Sequence, residues 1–504
     1  MRRPSSTRAA RLPVLDPTDP PASRRAWFIT WIVLSGAFCV SFTITILSVS
    51  RPAIAKDLDA DVSLLVWLIS GPTIATALSS TTWGKLGDLH GHRRTYLVSM
   101  TGATLFSLAS AFAWNGPSLI GFRVLGALVG AATAPSSMAI INLVFPPERR
   151  SAALGYWSLV VAGGPVIGLV AGGPLVDLFG WRMIFLLQAP LLGAAGLVAW
   201  RVLPRTPRQV GVPLDVKGQV ALASALLALL LGIDRGRPLG WGHPVVVGLF
   251  TVAVVAGVGF VVVERRVEHP LVPLRYFSRR NFTLPIAIQF FTNFGYMGGF
   301  ILAPKLLDEV RGMSAGQISL LLIPRPLVYA ICGPLAGRLV PKVGVRTFAL
   351  AGSACVTLSL AIIALVSRDP GTVVIITAIA ISGVGMGAAQ PAIATSVANS
   401  VEAEDLGVAG ATQQLASQVG SSIGMNLLDS IQVARVGAAG TAGSFGQAYG
   451  VGALISAVGT ALAIGLRGRR AHVGSALDAE GGAPQRPSHL APEPGLDPAT
   501  VSRR

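Results

Sequence analysis

Apolar residues run along this chain in long continuous blocks separated by short polar and basic segments, without the period-2 alternation that marks barrel strands. Fourteen blocks reach, or nearly reach, the roughly 20 residues that carry a helix across about 30 Å of hydrocarbon. They lie near 27–50, 64–83, 95–113, 118–145, 151–175, 183–203, 219–233, 245–263, 282–304, 314–336, 347–366, 372–400, 407–431 and 450–466. The seventh is short, and the fourth and twelfth are long. The pattern predicts an all-α polytopic membrane protein with 14 transmembrane helices.

The polar segment between the second and third blocks reads GKLGDLHGHRR, Gly84 to Arg94, and it recurs in degraded form as GRLVPKVGVRT, Gly337 to Thr347. Both copies set a second Gly (Gly91, Gly344) and then an Arg (Arg93, Arg346) at the same spacing from the first. Two membrane halves of common design are predicted, each with a tight basic turn between its second and third helices. In the first copy Gly84 and Gly87 permit close helix approach, and Gly91 permits a positive φ. Asp88 can cap a helix N-terminus or pair with Arg93 or Arg94, so the segment reads as a latch.

Composition agrees with a membrane protein: 52% of residues are hydrophobic and 12% charged, and the mean hydropathy is +0.63. The net charge of +17 follows from orientation. With the N-terminus in the cytoplasm, most of the 40 Lys and Arg fall on the inside, and an even span count returns the C-terminus there. A multi-pass plasma-membrane protein with both termini cytoplasmic is expected. Nucleic acid is excluded as a partner, because the charge is split among short loops and two tails. The tails, residues 1–25 and 467–504, read as disordered. Cys39, Cys332 and Cys355 fall inside apolar blocks at unrelated spacings and read as buried packing. Nothing points to an enzyme, a cofactor or a metal site, since there is no Walker loop, no His or Cys metal spacing and no supported Ser-His-Asp set.

The segment Gly84 to Arg94 closely resembles the signature of the major facilitator superfamily. Arg123-Val-Leu-Gly126-Ala-Leu-Val-Gly130 is similar to its helix-four Arg motif. Gly163-Gly164-Pro165-Val-Ile-Gly168, continuing to Gly172-Gly173-Pro174, resembles the helix-five motif of the exporters, and Trp181-Arg182-Met-Ile-Phe185 to Pro190 the start of helix six in fourteen-span drug:proton antiporters. The resemblance implies two six-helix bundles, residues 26–203 and 282–466, with two extra helices in 204–281, in a secondary carrier working by alternating access. Independently of it, Gly164, Gly168 and Gly172 recur every four residues on one face, which suits a sliding seam, while Pro165 and Pro174 are expected to disturb the helix.

Departures from that family matter as much. Its first helix bears a carboxylate nine residues before a Pro; here Thr43 precedes Pro52 at that spacing. No Asp or Glu falls in the middle of a block. Proton coupling, which the resemblance implies, needs a group that titrates in the cavity, and buried carboxylates are the usual choice. Asp177, Asp234 and Asp429, near outer ends, are the candidate proton sites, with the substrate itself as the alternative carrier.

Arg123 and Arg325 lie inside apolar blocks without an acid and point to an anionic or neutral amphipathic substrate, unless they only brace neighbouring helices. Gln289, Asn293 and Tyr296, with Gln414 and Gln418, form polar stripes at helical spacing that suit a cavity lining or interhelical hydrogen bonds. Thr43 completes the candidate lining. The sequence supports an exporter of drug-like or secondary-metabolite compounds, expected as a monomer. Against it stand an uncoupled or differently coupled carrier of an organic anion or lipid, and a sensor or scaffold that no longer transports.

Overall fold

The computed structural model describes residues 20–41, 43–60, 64–206, 215–267, 274–313, 315–368 and 371–466. Most of both tails therefore lies outside the described residues. The described parts of the fourteen apolar blocks are helical apart from a few end and break residues, because an apolar backbone in lipid must satisfy its own hydrogen bonds.

The first half holds α1 (Pro20–Ser41), α2 (Thr43–Asp57), α3 (Trp67–His90), α4 (His92–Ala111), α5 (Gly116–Gly130), α6 (Thr133–Val144), α7 (Pro147–Phe179) and α8 (Arg182–Val202). The middle segment holds α9 (Val216–Leu239) and α10 (Pro244–Glu264). The second half holds α11 (Arg280–Glu309), α12 (Ala315–Leu322), α13 (Pro324–Val343), α14 (Val345–Val366), α15 (Thr372–Ala398) and α16 (Leu406–Ile464). Nine helices among the described residues are long and apolar enough to cross a membrane.

Local chemistry explains the ends. An Asn115 and Ser118 capping box starts α5, prolines at the first turn start α7 and α10, and positive-φ glycines end α3, α7, α9 and α13. Two apolar blocks hold more than one helix. The fourth divides after Gly130 and the tenth at Pro324, where the ring cannot donate to the preceding turn. The last two blocks lie on one long α16 that turns sharply at Gly440, whose φ of 69° favours glycine. The prolines of α7, expected to disturb it, leave its helix unbroken from Pro147 to Phe179.

Each half has its own apolar core. Ile46, Leu47, Leu119, Trp181 and Phe185 pack in the first, and Phe294, Leu302, Leu360, Phe445 and Tyr449 in the second. The halves meet where α7 packs along α13 and α15, and where α3 and α6 pack along α16. The middle pair stands apart, with α10 leaning mainly on α9 and only 6% of its apolar stretch buried by protein. Such a helix is stable only in lipid.

Candidate substrate path and gate

Both copies of the basic motif sit at one end of the molecule, and each grips a helix of the opposite half. In the first copy, the glycine at the end of α3 lets it approach α16 so closely that a methyl group on Gly84 would lie 2.7 Å from the Gly407 carbonyl oxygen. One turn on, the Asp88 carboxylate accepts hydrogen bonds from the backbone N–H of Gly407 at 3.0 Å and of Val408 at 3.1 Å. These are orphan donors of the α16 N-terminus, where the helix dipole favours a negative charge.

His92 Nε2 lies 2.9 Å from the same carboxylate, and Asp88 and His92 are only 4% and 3% exposed. The sequence left Asp88 a choice between capping and pairing with Arg93 or Arg94. It caps, and its side-chain partner is His92, whose i,i+4 spacing from Asp88 was the missed signal. Arg93 instead donates to the Trp200 carbonyl at the end of α8, and Arg94 is exposed. Gly91 takes the expected positive φ, 95°.

The second copy repeats the geometry without the acid. Gly344 has φ 105°, and Gly337 of α13 faces the backbone of Ser151 and Gly155 on α7. At Gly155 a methyl group would lie 2.5 Å from the Gly333 carbonyl oxygen. Pro341 stands where Asp88 stands in the first copy, so side chains secure this seam differently. Arg338 donates to the Tyr156 hydroxyl, and Arg150 donates to Asn399 Oδ1 at 2.8 Å as well as to the Asn142 carbonyl. Two symmetry-related seams thus close this end of the molecule. On α7, Gly164 and Gly168 are buried, while Pro165, Gly172, Gly173 and Asp177 lie outside the residues whose side chains are described.

In the first half, Thr43 is fully buried. Gln188 Nε2 donates to the Cys39 carbonyl at 2.8 Å and reaches Thr43 Oγ1 at 3.3 Å, and Gln188 Oε1 accepts from Ser107 at 3.0 Å. The position of the missing acid is therefore filled by a neutral, satisfied network. Arg123 lies nearby, its guanidinium carbon 5.8 Å from the ring centroid of Phe185, one turn from Gln188 on α8. Its Nε is buried without a hydrogen-bond partner. A charge so placed costs at least about 2.5 kcal/mol at mid-membrane depth unless water or a counter-charge reaches it.

Arg325 is settled differently. It is 4% exposed inside the second bundle, donates to the Tyr296 carbonyl, and lies 3.5 Å and 4.6 Å from the ring centroids of Tyr296 and Phe300. Its Nε, like that of Arg123, is buried without a hydrogen-bond partner, but two rings and a carbonyl stabilise a desolvated cation well. It lines a small cavity together with Tyr296, Ser359, Ser382 and Tyr449.

On α11, Asn293 Nδ2 donates to the Gln289 carbonyl, and Gln413 Nε2 reaches Gln289 Oε1 at 3.3 Å from α16. Gln413, rather than the predicted Gln414 or Gln418, thus makes this link, and the latter two are half-buried. Of the candidate proton sites, Asp429 is 3% exposed and paired with Lys305 of α11, while Asp234 on α9 pairs loosely with Arg235 at 3.8 Å. Among the described residues no group of three His, Cys, Asp or Glu is placed to hold a metal.

Comparison with known proteins agrees with this architecture. The family model described as Major Facilitator Superfamily matches residues 33–425. The chain is 31% identical over 415 residues to the tetracenomycin C resistance and export protein of Streptomyces glaucescens, covering 82% of this chain and 77% of that protein. It is 28% identical over 423 residues to the multidrug transporter protein MdtP of Bacillus subtilis, covering 82% and 76%. Among solved structures, the human organic anion transporter MFSD10 superposes with a TM-score of 0.63 at 15% identity, covering 88% of this chain and all of that one, which is a likeness of fold.

Proposed function

Since the chain belongs to the Major Facilitator Superfamily, a family of membrane transporters, we propose that it exports drug-like or secondary-metabolite compounds by alternating access. In this reading it has fourteen spans arranged 6+2+6, acts as a monomer in the plasma membrane, and keeps both termini in the cytoplasm. The bundles correspond to residues 26–203 and 282–466, and the extra helices to 204–281. The end carrying the two basic motifs is the cytoplasmic one.

One observation carries the mechanism: the Asp88 carboxylate of one half caps α16 of the other. This bond exists only while that end is closed, so breaking it is the event that admits a compound from the cytoplasm. The names of the relatives support export of drug-like molecules. Substrate lining falls to Thr43, Arg123, Gln289, Asn293, Tyr296, Arg325, Gln414 and Gln418, with Arg325 also bracing against Tyr296.

Proton coupling, where it operates, uses Asp177, Asp234, Asp429 or an acidic group on the cargo. The test is efflux of acidic, neutral and basic dyes from proteoliposomes of the purified protein, with and without an imposed pH gradient. Export predicts dye-selective, saturable efflux. A protein that moves none of the dyes contradicts the reading, and gradient-driven efflux that survives neutralisation of each of the three aspartates removes them as proton carriers.

A further inference from the structure

We infer that the cargo of this carrier bears an acidic group, and that Arg123 receives it. The inference rests on the reading of the chain as an exporter and specifies its substrate class.

The argument starts from charge balance in the first bundle. Arg123 on α5 carries a guanidinium whose Nε is buried and unbonded, and among the described residues no carboxylate, carbonyl or hydroxyl accepts from that side chain. Its one ring contact among the described residues, Phe185 at 5.8 Å, lies at the outer limit of a useful cation–π interaction. The Arg325 Nε is likewise buried and unbonded, but its guanidinium has two rings at shorter range and a carbonyl, so its charge is met within the protein where that of Arg123 is not.

The missing counter-charge has a place. Phe185 and Gln188 lie one turn apart on α8, so the groups they touch, Arg123 and Thr43, address one region of the bundle. A carboxylate at position 43 would accept from the Gln188 amide and supply a negative charge on the stretch of α8 that Arg123 also approaches. Threonine instead leaves a network of Thr43, Gln188, Ser107 and the Cys39 carbonyl that is complete in its hydrogen bonds and has no charge. Its amide and hydroxyl hydrogens are committed, and among the described hydrogen bonds none of its oxygens accepts from the arginine. The acidic described residue at the outer end of α2, Asp57, is already held by Arg182 and Trp181. A carboxylate, sulfonate or ionised phenol on the cargo is then the group that completes the site, through charge-assisted hydrogen bonds of the planar guanidinium fork.

The experiment uses purified full-length protein in proteoliposomes loaded with three xanthene dyes: anionic fluorescein, a cationic rhodamine ester and an uncharged xanthene. Wild-type protein should export fluorescein in preference to the rhodamine ester. Arg123→Gln should lower the ratio of fluorescein to neutral-dye efflux about tenfold or more, and Arg123→Lys should restore part of it. Thr43→Asp, in a chain that keeps Arg123, should occupy the guanidinium from within and shift preference towards the cationic dye. That gain cannot arise from misfolding. An unchanged dye ratio in both Arg123→Gln and Thr43→Asp, or a wild type that prefers the cation, overturns the inference while leaving the exporter reading intact. A wild type that moves no dye overturns both.

Discussion

A single carboxylate does the most identifiable work in this molecule. Asp88 accepts two backbone donors from the opposite half while His92 pairs with it from behind, and hydrogen bonds to a charged acceptor contribute about 1.5–3 kcal/mol. Asp88→Asn should therefore raise the open fraction of this end roughly tenfold or more. Met138, 3% exposed on α6 and facing Gly410 of α16, reports on the opening. In a background lacking Cys39, Cys332 and Cys355, a Met138→Cys probe should be alkylated by a water-soluble maleimide correspondingly faster when Asp88→Asn is added. At the other end, hydrogen bonds from Arg182 and Trp181 hold the Asp57 carboxyl below its usual range. A depressed carboxyl stabilises the fold above its unfolded value and loses that contribution as pH falls through its folded value. The pair is exposed, so wild type should exceed Arg182→Gln by less than about 1 kcal/mol at neutral pH. Thermal unfolding should show the difference vanishing below the ordinary carboxylate range. The role of Asp88 was half legible in the sequence, because a cap acts on whichever helix start the fold brings to it. No local pattern names Gly407.

At the level of elements, the seams depend on how closely backbones approach. Gly337 faces the α7 backbone, and a methyl group there would meet the Ser151 carbonyl, which cannot rotate away. Gly337→Ala should pry α13 from α7 and cost about 1–3 kcal/mol. Gly121→Ala on α5, with open space around it, should be neutral in the same thermal-shift measurement. If both substitutions behave alike, close approach is not what holds this seam. The helices were readable from their apolar runs because lipid allows few alternatives to a helix. The internal breaks were less so. Pro324 is a breaker in α12–α13, yet Pro165 and Pro174 interrupt nothing in α7, since the cost of a lost turn bond is set by what neighbouring helices supply. The amide link from α16 to α11 uses Gln413 and not its neighbour, a choice made by the rotation of a long helix that periodicity fixes only to within about one residue.

For the molecule as a whole, the recurrence of the basic motif foretold the pseudo-symmetry that the seams display: α3 against α16 and α13 against α7, each meeting at a glycine. The sequence did not reveal that the two copies are unequal in action. Asp88 makes the first an electrostatic latch, whereas Pro341 leaves the second to packing and to Arg338 and Arg150. An asymmetric lock of this kind can be released by one charge. The central claim is that the closed end alternates with an open one, and the direct test is a distance across the latch. Spin labels at His90 and Glu404, exposed positions flanking the junction of Asp88 with Gly407, should give a short distance in the wild type. A second, longer distance should grow in Asp88→Asn and respond to transported dye. One distance, unchanged by the substitution and by every dye, would contradict the account.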